Sequence, residues 1–362
     1  MAVTIRGREL AIPILQGGMG VGISLEHLAG AVAACGGMGT ISTAVGGFAE
    51  PDFEKDPRGA NLRALERQVK RAKELAKGAG MVAINAMVAT TQYADSIRTA
   101  LRAGVDAVVS GAGLPKDLPA IAAEVPESSA ALAPIVSGGR AAGLICKLWD
   151  RHYSRVPDFV VLEGPLAGGH LGFSKEEARE AQAGNPKSLE SLLQEVLTAL
   201  APFREKYQRD IPVFVAGGVK DGAEMRRYTD AGAAGAQFAT RFIATEECDA
   251  SDAYKQALLH ARSEDIDIVQ SPVGMPGRAL RSPLIQRVEA GLQPRIDRCM
   301  NCLVPCDPKT SPYCISRALI AARNGDWENG LFFCGAGAGA VNRLSTVRAQ
   351  MDQIMDEWRN AR

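Results

Sequence analysis

The sequence predicts an α/β protein, a (β/α)8 barrel of the TIM type with a C-terminal, cysteine-containing lid or small appended subdomain, and three observations carry that expectation. Short apolar runs rich in Val and Ile alternate with longer amphipathic stretches along the 362 residues. The runs are continuously apolar, which implies strands buried on both faces, as in a parallel sheet wrapped by helices. Eight such runs occur, and eight favour closure into a barrel over the runner-up, an open doubly wound sheet.

The expected strands cover residues 12–16, 39–45, 81–88, 107–111, 133–137, 159–163, 213–216 and 236–239. Helical stretches lie between them at 24–34, 62–77, 95–103, 189–206 and 223–231, where apolar positions recur at helical spacing. Ser24 is expected to cap the first of these helices, and Asp221-Gly222 to open the last. Beyond about Asp265 the rhythm gives way to a stretch rich in Pro, Gly and Cys over 271–312, then to a final amphipathic helix near 347–358. The expected division is a barrel over 1–264 and a lid or extension over 265–362.

Composition narrows the function. With 41 basic against 41 acidic side chains the net charge is zero, so nothing electrostatic points to nucleic acid or an anionic membrane as partner. The amino terminus lacks the apolar segment of a signal peptide, and no apolar run approaches the ~18 residues of a membrane span. The cytoplasm is therefore expected, and the eight cysteines read as free thiols or metal ligands rather than disulfides. The expected partner is a small-molecule substrate; a homodimer is compatible with the sequence, which carries no signal for oligomeric state.

Four segments carry candidate chemistry. Val160-Val161-Leu162-Glu163 runs into a glycine-rich turn, Gly164 to Gly169, that delivers His170 at the carboxyl end of the sixth strand. That end of a barrel holds the active site, and an imidazole can take or give a proton near neutral pH. Ala216-Gly217-Gly218 and Gln237-Phe238-Ala239-Thr240 end the seventh and eighth strands in small residues, the position where barrels bind phosphate through backbone N–H groups. Gln16-Gly17-Gly18-Met19-Gly20 could lay a planar ring against backbone. Asn85, a polar amide inside an apolar strand, must find a partner, either a cofactor atom or a backbone carbonyl.

These segments, with Ser110-Gly111-Ala112-Gly113, resemble in order and spacing the nitronate monooxygenase (2-nitropropane dioxygenase) family, which groups with the flavin-dependent enoyl-acyl-carrier-protein reductases, over about residues 5–285. The resemblance implies a barrel holding non-covalent FMN, its phosphate at Gly217, Gly218 and Thr240 and its ring near Gly18, Met19 and Asn85. Glu163, Gly168, Gly169, Ala216, Gln237 and Ala239 would complete the cofactor site, and His170 would face the substrate. It implies oxidation of alkyl nitronates with O2 to carbonyl and nitrite or, alternatively, NAD(P)H-dependent reduction of an enoyl thioester. A flavin-binding sensor without turnover is the reading from another class. Two departures from the family pattern stand out: Ala239 replaces the usual Gly, and residues 134–137 lack the lysine some members carry.

Two further segments stand outside that pattern. Cys299, Cys302, Cys306 and Cys314, spaced C-x2-C-x3-C-x7-C, could ligate an iron–sulfur cluster or zinc, with Cys334 as a substitute, or be free thiols. Residues 331–340 imitate a dinucleotide fingerprint but lack the following strand and acidic residue, so they read as a turn packed near the flavin mouth. Met275, Leu280, Leu284 and Ile285 would serve either as apolar lid or as core.

Overall fold

A computed structural model describes residues 2–184 and 188–361. Eight parallel strands, Ile14–Gln16, Met38–Ser42, Met81–Met87, Ala107–Gly111, Ala131–Val136, Val160–Glu163, Val213–Ala216 and Gly235–Phe238, form a closed barrel. The eighth returns to the first through the pairs Ala236–Ile14 and Gln237–Leu15. All eight expected strands are present, with ends that move by a few residues.

Each strand buries both faces, for different neighbours. Residues such as Val82, Val108, Leu132, Leu162 and Val215 face the helices. The alternate row, including Leu15, Ala83, Val109, Ala133, Val161 and Ala216, fills the interior, where Phe159 and Phe214 meet edge to face at 5.8 Å. An eight-stranded barrel is just wide enough for its own side chains, so this row mixes alanines with two aromatic rings.

The end opposite the candidate site is corked by an antiparallel hairpin, Val3–Ile5 with Arg8–Leu10, whose Val3, Ile5 and Leu10 join the interior cluster. Its arginines reach two buried carboxylates at strand starts. Arg8 pairs with Asp106, and Arg6 lies 3.7 Å from Asp158. Asp106 also accepts from the Val82 amide at 2.9 Å, while Asp158 accepts from the Leu132 amide at 2.8 Å and pairs with Arg155 and Arg209. Each carboxylate thus ties neighbouring strands to each other and to the cork.

Beyond residue 264 the chain does not sit apart. The last helix, Val347–Asn360, packs against both Gly222–Asp230 and Glu26–Ala34, the place of an eighth barrel helix. Trp358 donates to the Thr229 hydroxyl at 3.0 Å, and the Glu357 carboxylate accepts from the Gly222 amide at 2.9 Å. Residues 244–346 therefore lie between the eighth strand and the helix that completes its unit. They carry an antiparallel sheet, Ile266–Gln270 with Pro276–Leu280, whose third strand is Gly169–His170 from the turn after the sixth barrel strand. They also pack an apolar cluster of their own around Val269, Leu284, Ile285, Tyr313 and Leu331.

One expected cap is corrected. The first barrel helix starts at Glu26 and Ser24 does not cap it. The Ser24 hydroxyl instead accepts from the Met19 amide at 2.8 Å, fastening the glycine segment of the first strand. The helix amides of Leu25, His27 and Leu28 donate to Asp249, more than 200 residues away in sequence. At 223–231 the expectation holds: Asp221 accepts from the Glu224 amide at 2.8 Å and opens the helix Gly222–Asp230.

Removing Asp158 leaves three guanidinium groups and a strand amide without their shared acceptor. Asp158→Ala should destabilise the fold by about 3 kcal/mol, read as a lowered urea midpoint, whereas an exposed control such as Asp356→Ala should cost about 0.5 kcal/mol or less.

Candidate active site

A cavity of about 1320 Å³ opens at the carboxyl ends of the barrel strands. Every residue expected to hold the cofactor lines it: Gly18, Met19, Asn85, Glu163, Gly168, Gly169, Ala216, Gly217, Gly218, Gln237, Ala239 and Thr240, together with His170. They come from five different strands, so only barrel closure brings them together.

The floor follows from strand alternation. Asn85 lies two residues beyond inward Ala83, Glu163 two beyond Val161, and Gln237 is in register with inward Leu15. All three therefore continue the interior rows into the cavity. None of these side-chain heads hydrogen-bonds to another described residue, and burial pushes the Glu163 carboxyl up to about 7. Polar groups enclosed without partners are built for a ligand.

Beside the floor, the N–H groups of Gly217, Gly218 and Val219 find no acceptor among the described residues. Gly217 has φ +66°, and a Cβ there would press on the Gly164 carbonyl. The Thr240 hydroxyl accepts from the Gly335 amide at 2.9 Å, which draws residues 333–337 against the cavity. The segment read as a turn near the flavin mouth thus lines this cavity.

His170 forms the side wall. Its Nε2 lies 2.7 Å from the Ser271 hydroxyl, its ring meets Phe333 at 5.1 Å and 71°, and it pairs with Gly277 across the antiparallel sheet. Burial lowers its pKa to about 4, so the imidazole is neutral at physiological pH. With Nε2 engaged by Ser271, Nδ1 has no partner among the described residues and is the nitrogen free to hold or take a proton.

Behind the turn stands Arg278, fully buried. It donates to the carbonyls of Pro165 (3.0 Å), Ala167 and Ala178 and to the Gln182 amide oxygen (3.1 Å). No carboxylate pairs with it among the described residues, and burial lowers its pKa to about 10. Ser271, Arg278 and Phe333 carry no local signal in the sequence, because their roles depend on a sheet whose third strand is two residues long.

The cysteine spacing does not become a metal site in this structure: among the described residues no three His, Cys, Asp or Glu side chains stand together as ligands. Cys299 is exposed and accepts from the Asn301 amide at 3.3 Å, Cys302 accepts from the Ser316 hydroxyl at 3.0 Å, and Cys306 lies 3.2 Å from the Ser311 hydroxyl. Cys314 precedes the helix Ile315–Arg323, and Cys334 is buried. Serine hydroxyls meet two of these sulfurs, those of Cys302 and Cys306. Of the four apolar lid candidates, Met275 lines the cavity, whereas Leu280, Leu284 and Ile285 are core.

A closed parallel barrel with a ligand cavity at its carboxyl end, free backbone amides beside the seventh strand and a neutral histidine on the wall defines a cofactor-dependent barrel enzyme. The chain belongs to the nitronate monooxygenase family, FMN-dependent oxidoreductases, whose sequence model matches residues 5–357. It is 28% identical over 283 residues, 78% of this chain and 67% of the other, to (3aS,4S,5R,7aS)-5-hydroxy-7a-methyl-1-oxo-octahydro-1H-indene-4-carboxyl-CoA dehydrogenase of Mycobacterium tuberculosis. It is 26% identical over 307 residues, 76% and 77% of the two chains, to a probable nitronate monooxygenase of Staphylococcus saprophyticus. Among solved structures, FabK from Thermotoga maritima superposes with a TM-score of 0.71 at 24% identity, over 97% of this chain and 94% of that one, a likeness of fold. No helix among the described residues is long and apolar enough to cross a membrane.

The lowered pKa of His170 has a thermodynamic sign. The unfolded chain binds this proton below about pH 6.5 while the folded chain resists it down to about 4, so the residue withdraws stability as pH falls through that window. Between pH 7 and 4 the wild type should lose up to about 3 kcal/mol relative to His170→Asn, measured by urea unfolding in parallel at both pH values. A constant difference between the two proteins would show that His170 is not held neutral by burial.

Proposed function

We propose that this chain is an FMN-dependent oxidoreductase acting at a carbon next to an electron-withdrawing group, with His170 as the residue that moves the substrate proton. The observation that carries the reading is the cavity floor, where Asn85, Gln237 and Glu163 stand unpartnered beside three free amides. These residues fit FMN. Gly217, Gly218 and Thr240 would take the phosphate, and Gly18, Met19, Asn85 and Gln237 the ring, with Gly168, Gly169, Ala216 and Ala239 as close backbone. When bound, FMN supplies the two-electron exchange with the substrate carbon.

The chain's own residues supply the rest. His170 is neutral, so it can accept a proton from a carbon acid in the oxidative direction. In the reductive direction it takes a proton from solvent and passes it to the substrate carbon, and Ser271 fixes the ring by holding Nε2. Phe333 and the turn from Leu166 to Gly169 limit water at that wall.

Cavity size favours a substrate larger than an alkyl nitronate. At about 1320 Å³ the cavity exceeds the ~300–1,000 Å³ of ordinary single-ligand sites, so it has room for an acyl substrate beside FMN. Met87, Leu114, Val273, Met275, Leu303 and Leu319 give its outer part an apolar wall. An enoyl or related acyl thioester, reduced with NAD(P)H or oxidised in reverse, suits that volume, and the mycobacterial relative's name includes a carboxyl-CoA. Nitronate oxidation with O2 is the second reading, favoured by the family match.

Purified protein reconstituted with FMN should reduce an enoyl-CoA with NADH or NADPH under anaerobic conditions faster than it consumes O2 with an alkyl nitronate; the reverse ranking selects the second reading. His170→Asn should retain the bound-flavin absorbance and lose at least about 100-fold in kcat on whichever substrate is turned over. Unchanged kcat removes the role given to His170.

A further inference from the structure

We infer that Glu163 couples FMN binding to proton uptake: the cofactor is bound with this carboxyl protonated, and the acid then donates its hydrogen bond to the bound ligand. The inference rests on the FMN reading above and goes beyond it, since it gives the site a proton that arrives with the cofactor.

Three features of the geometry carry it. Glu163 is the last inward residue of the sixth strand, its side chain opens into the cavity, and no described residue hydrogen-bonds to it. Its register partner on the seventh strand is Ala216, the residue immediately before Gly217 and Gly218. A phosphate anion held on those amides is therefore a close neighbour of the carboxyl, and a like charge nearby favours the protonated acid. The remaining floor heads, Asn85 and Gln237, are neutral amides that cannot balance a carboxylate.

Most charged groups lining the cavity are committed; Glu264 lies near Arg262, and Arg343, an exposed cation on the outer rim, has no partner among the described residues. His170, at the far end of the same turn, is neutral above about 4 and bonded to Ser271. Lys220 lies near Glu224, and Asp221 caps its helix. Arg241 bonds to Gln350 and lies near Glu357, while Arg278 is spent on carbonyls and Gln182. Cys334, behind Gly168, is held as the neutral thiol, its pKa pushed up to about 12 by burial. The fifth and seventh barrel strands beside Glu163 contribute no ionisable side chain. Burial alone already raises the carboxyl to about 7, so a ligand that displaces the remaining water and adds negative charge drives it further in the same direction. The proton comes from solvent and stays on the carboxyl, with no bond of the cofactor made or broken.

The test is binding, not turnover. Apoprotein is titrated with FMN from about pH 6.5 to 8.5, following flavin fluorescence, and by calorimetry in buffers of different protonation enthalpy at the upper end. The wild-type Kd should weaken at least about tenfold across that range, with net uptake approaching one proton per FMN. E163Q, which keeps the shape and donor but cannot titrate, should hold its Kd within about twofold and take up no proton. Titration of the FMN phosphate, common to both proteins, cancels in the comparison.

A wild-type affinity that stays level or tightens with pH, or an E163Q slope equal to the wild type's, overturns the inference while leaving the FMN reading intact. Protein that binds FMN at no pH overturns both. The wild-type calorimetry decides the question even where E163Q retains no flavin.

Discussion

A guanidinium buried with no counter-ion among the described residues is the interaction on which the functional end of this molecule depends. Arg278 gives its donors to carbonyls of the turn after the sixth strand and to the helix Lys175–Gln182 that follows that turn. A charge taken out of water is costly unless every donor is satisfied, and here the acceptors are backbone carbonyls that would themselves be stranded without it. Each side needs the other. The turn that leads to His170 can therefore be rich in glycine, and so able to approach a ligand closely, without being loose.

The opposite end of the barrel solves a different problem with the same chemistry. Asp106 and Asp158 sit just before strands four and six and accept both from strand amides and from the arginines of the amino-terminal hairpin. These pairs are anchored by backbone, so the carboxylates keep their bonds even where the arginine stems remain partly exposed. Stability is concentrated at that end and ligand-seeking groups at the other, the division of labour usual for a parallel barrel.

Much of this was legible in the sequence, for identifiable reasons. Strands such as Ala107–Gly111 and Val213–Ala216 are read without error because a continuous apolar run bounded by small residues has few other uses in a chain of this composition. Of the floor residues, Asn85 was legible as a polar amide inside an apolar strand, whereas Glu163 and Gln237 came into the site through the family resemblance. Ser24 was misread because a serine before a helix looks the same whether its hydroxyl turns toward the helix or back to Met19, and the true acceptor, Asp249, is remote in sequence. The Gly169–His170 strand is too short to show a period, and its partner Pro276–Leu280 opens with proline and glycine. Cysteine spacing fixes separation along the chain and not in space, so the sequence does not show that Cys302 and Cys306 meet serine hydroxyls.

The helix that completes the barrel's outer ring lies more than a hundred residues after the eighth strand, and it packs against the first barrel helix. The strand bearing His170 likewise waits for a partner more than a hundred residues later. During synthesis, then, a ribosome-bound chain can lay down most of the barrel strands while the ring stays open and the histidine has no sheet to hold it. Competence to bind and react arrives only once residues 347–360 have emerged, so a product cut short before them would be a partial barrel with exposed apolar helix faces, a target for quality control rather than a weakly active enzyme.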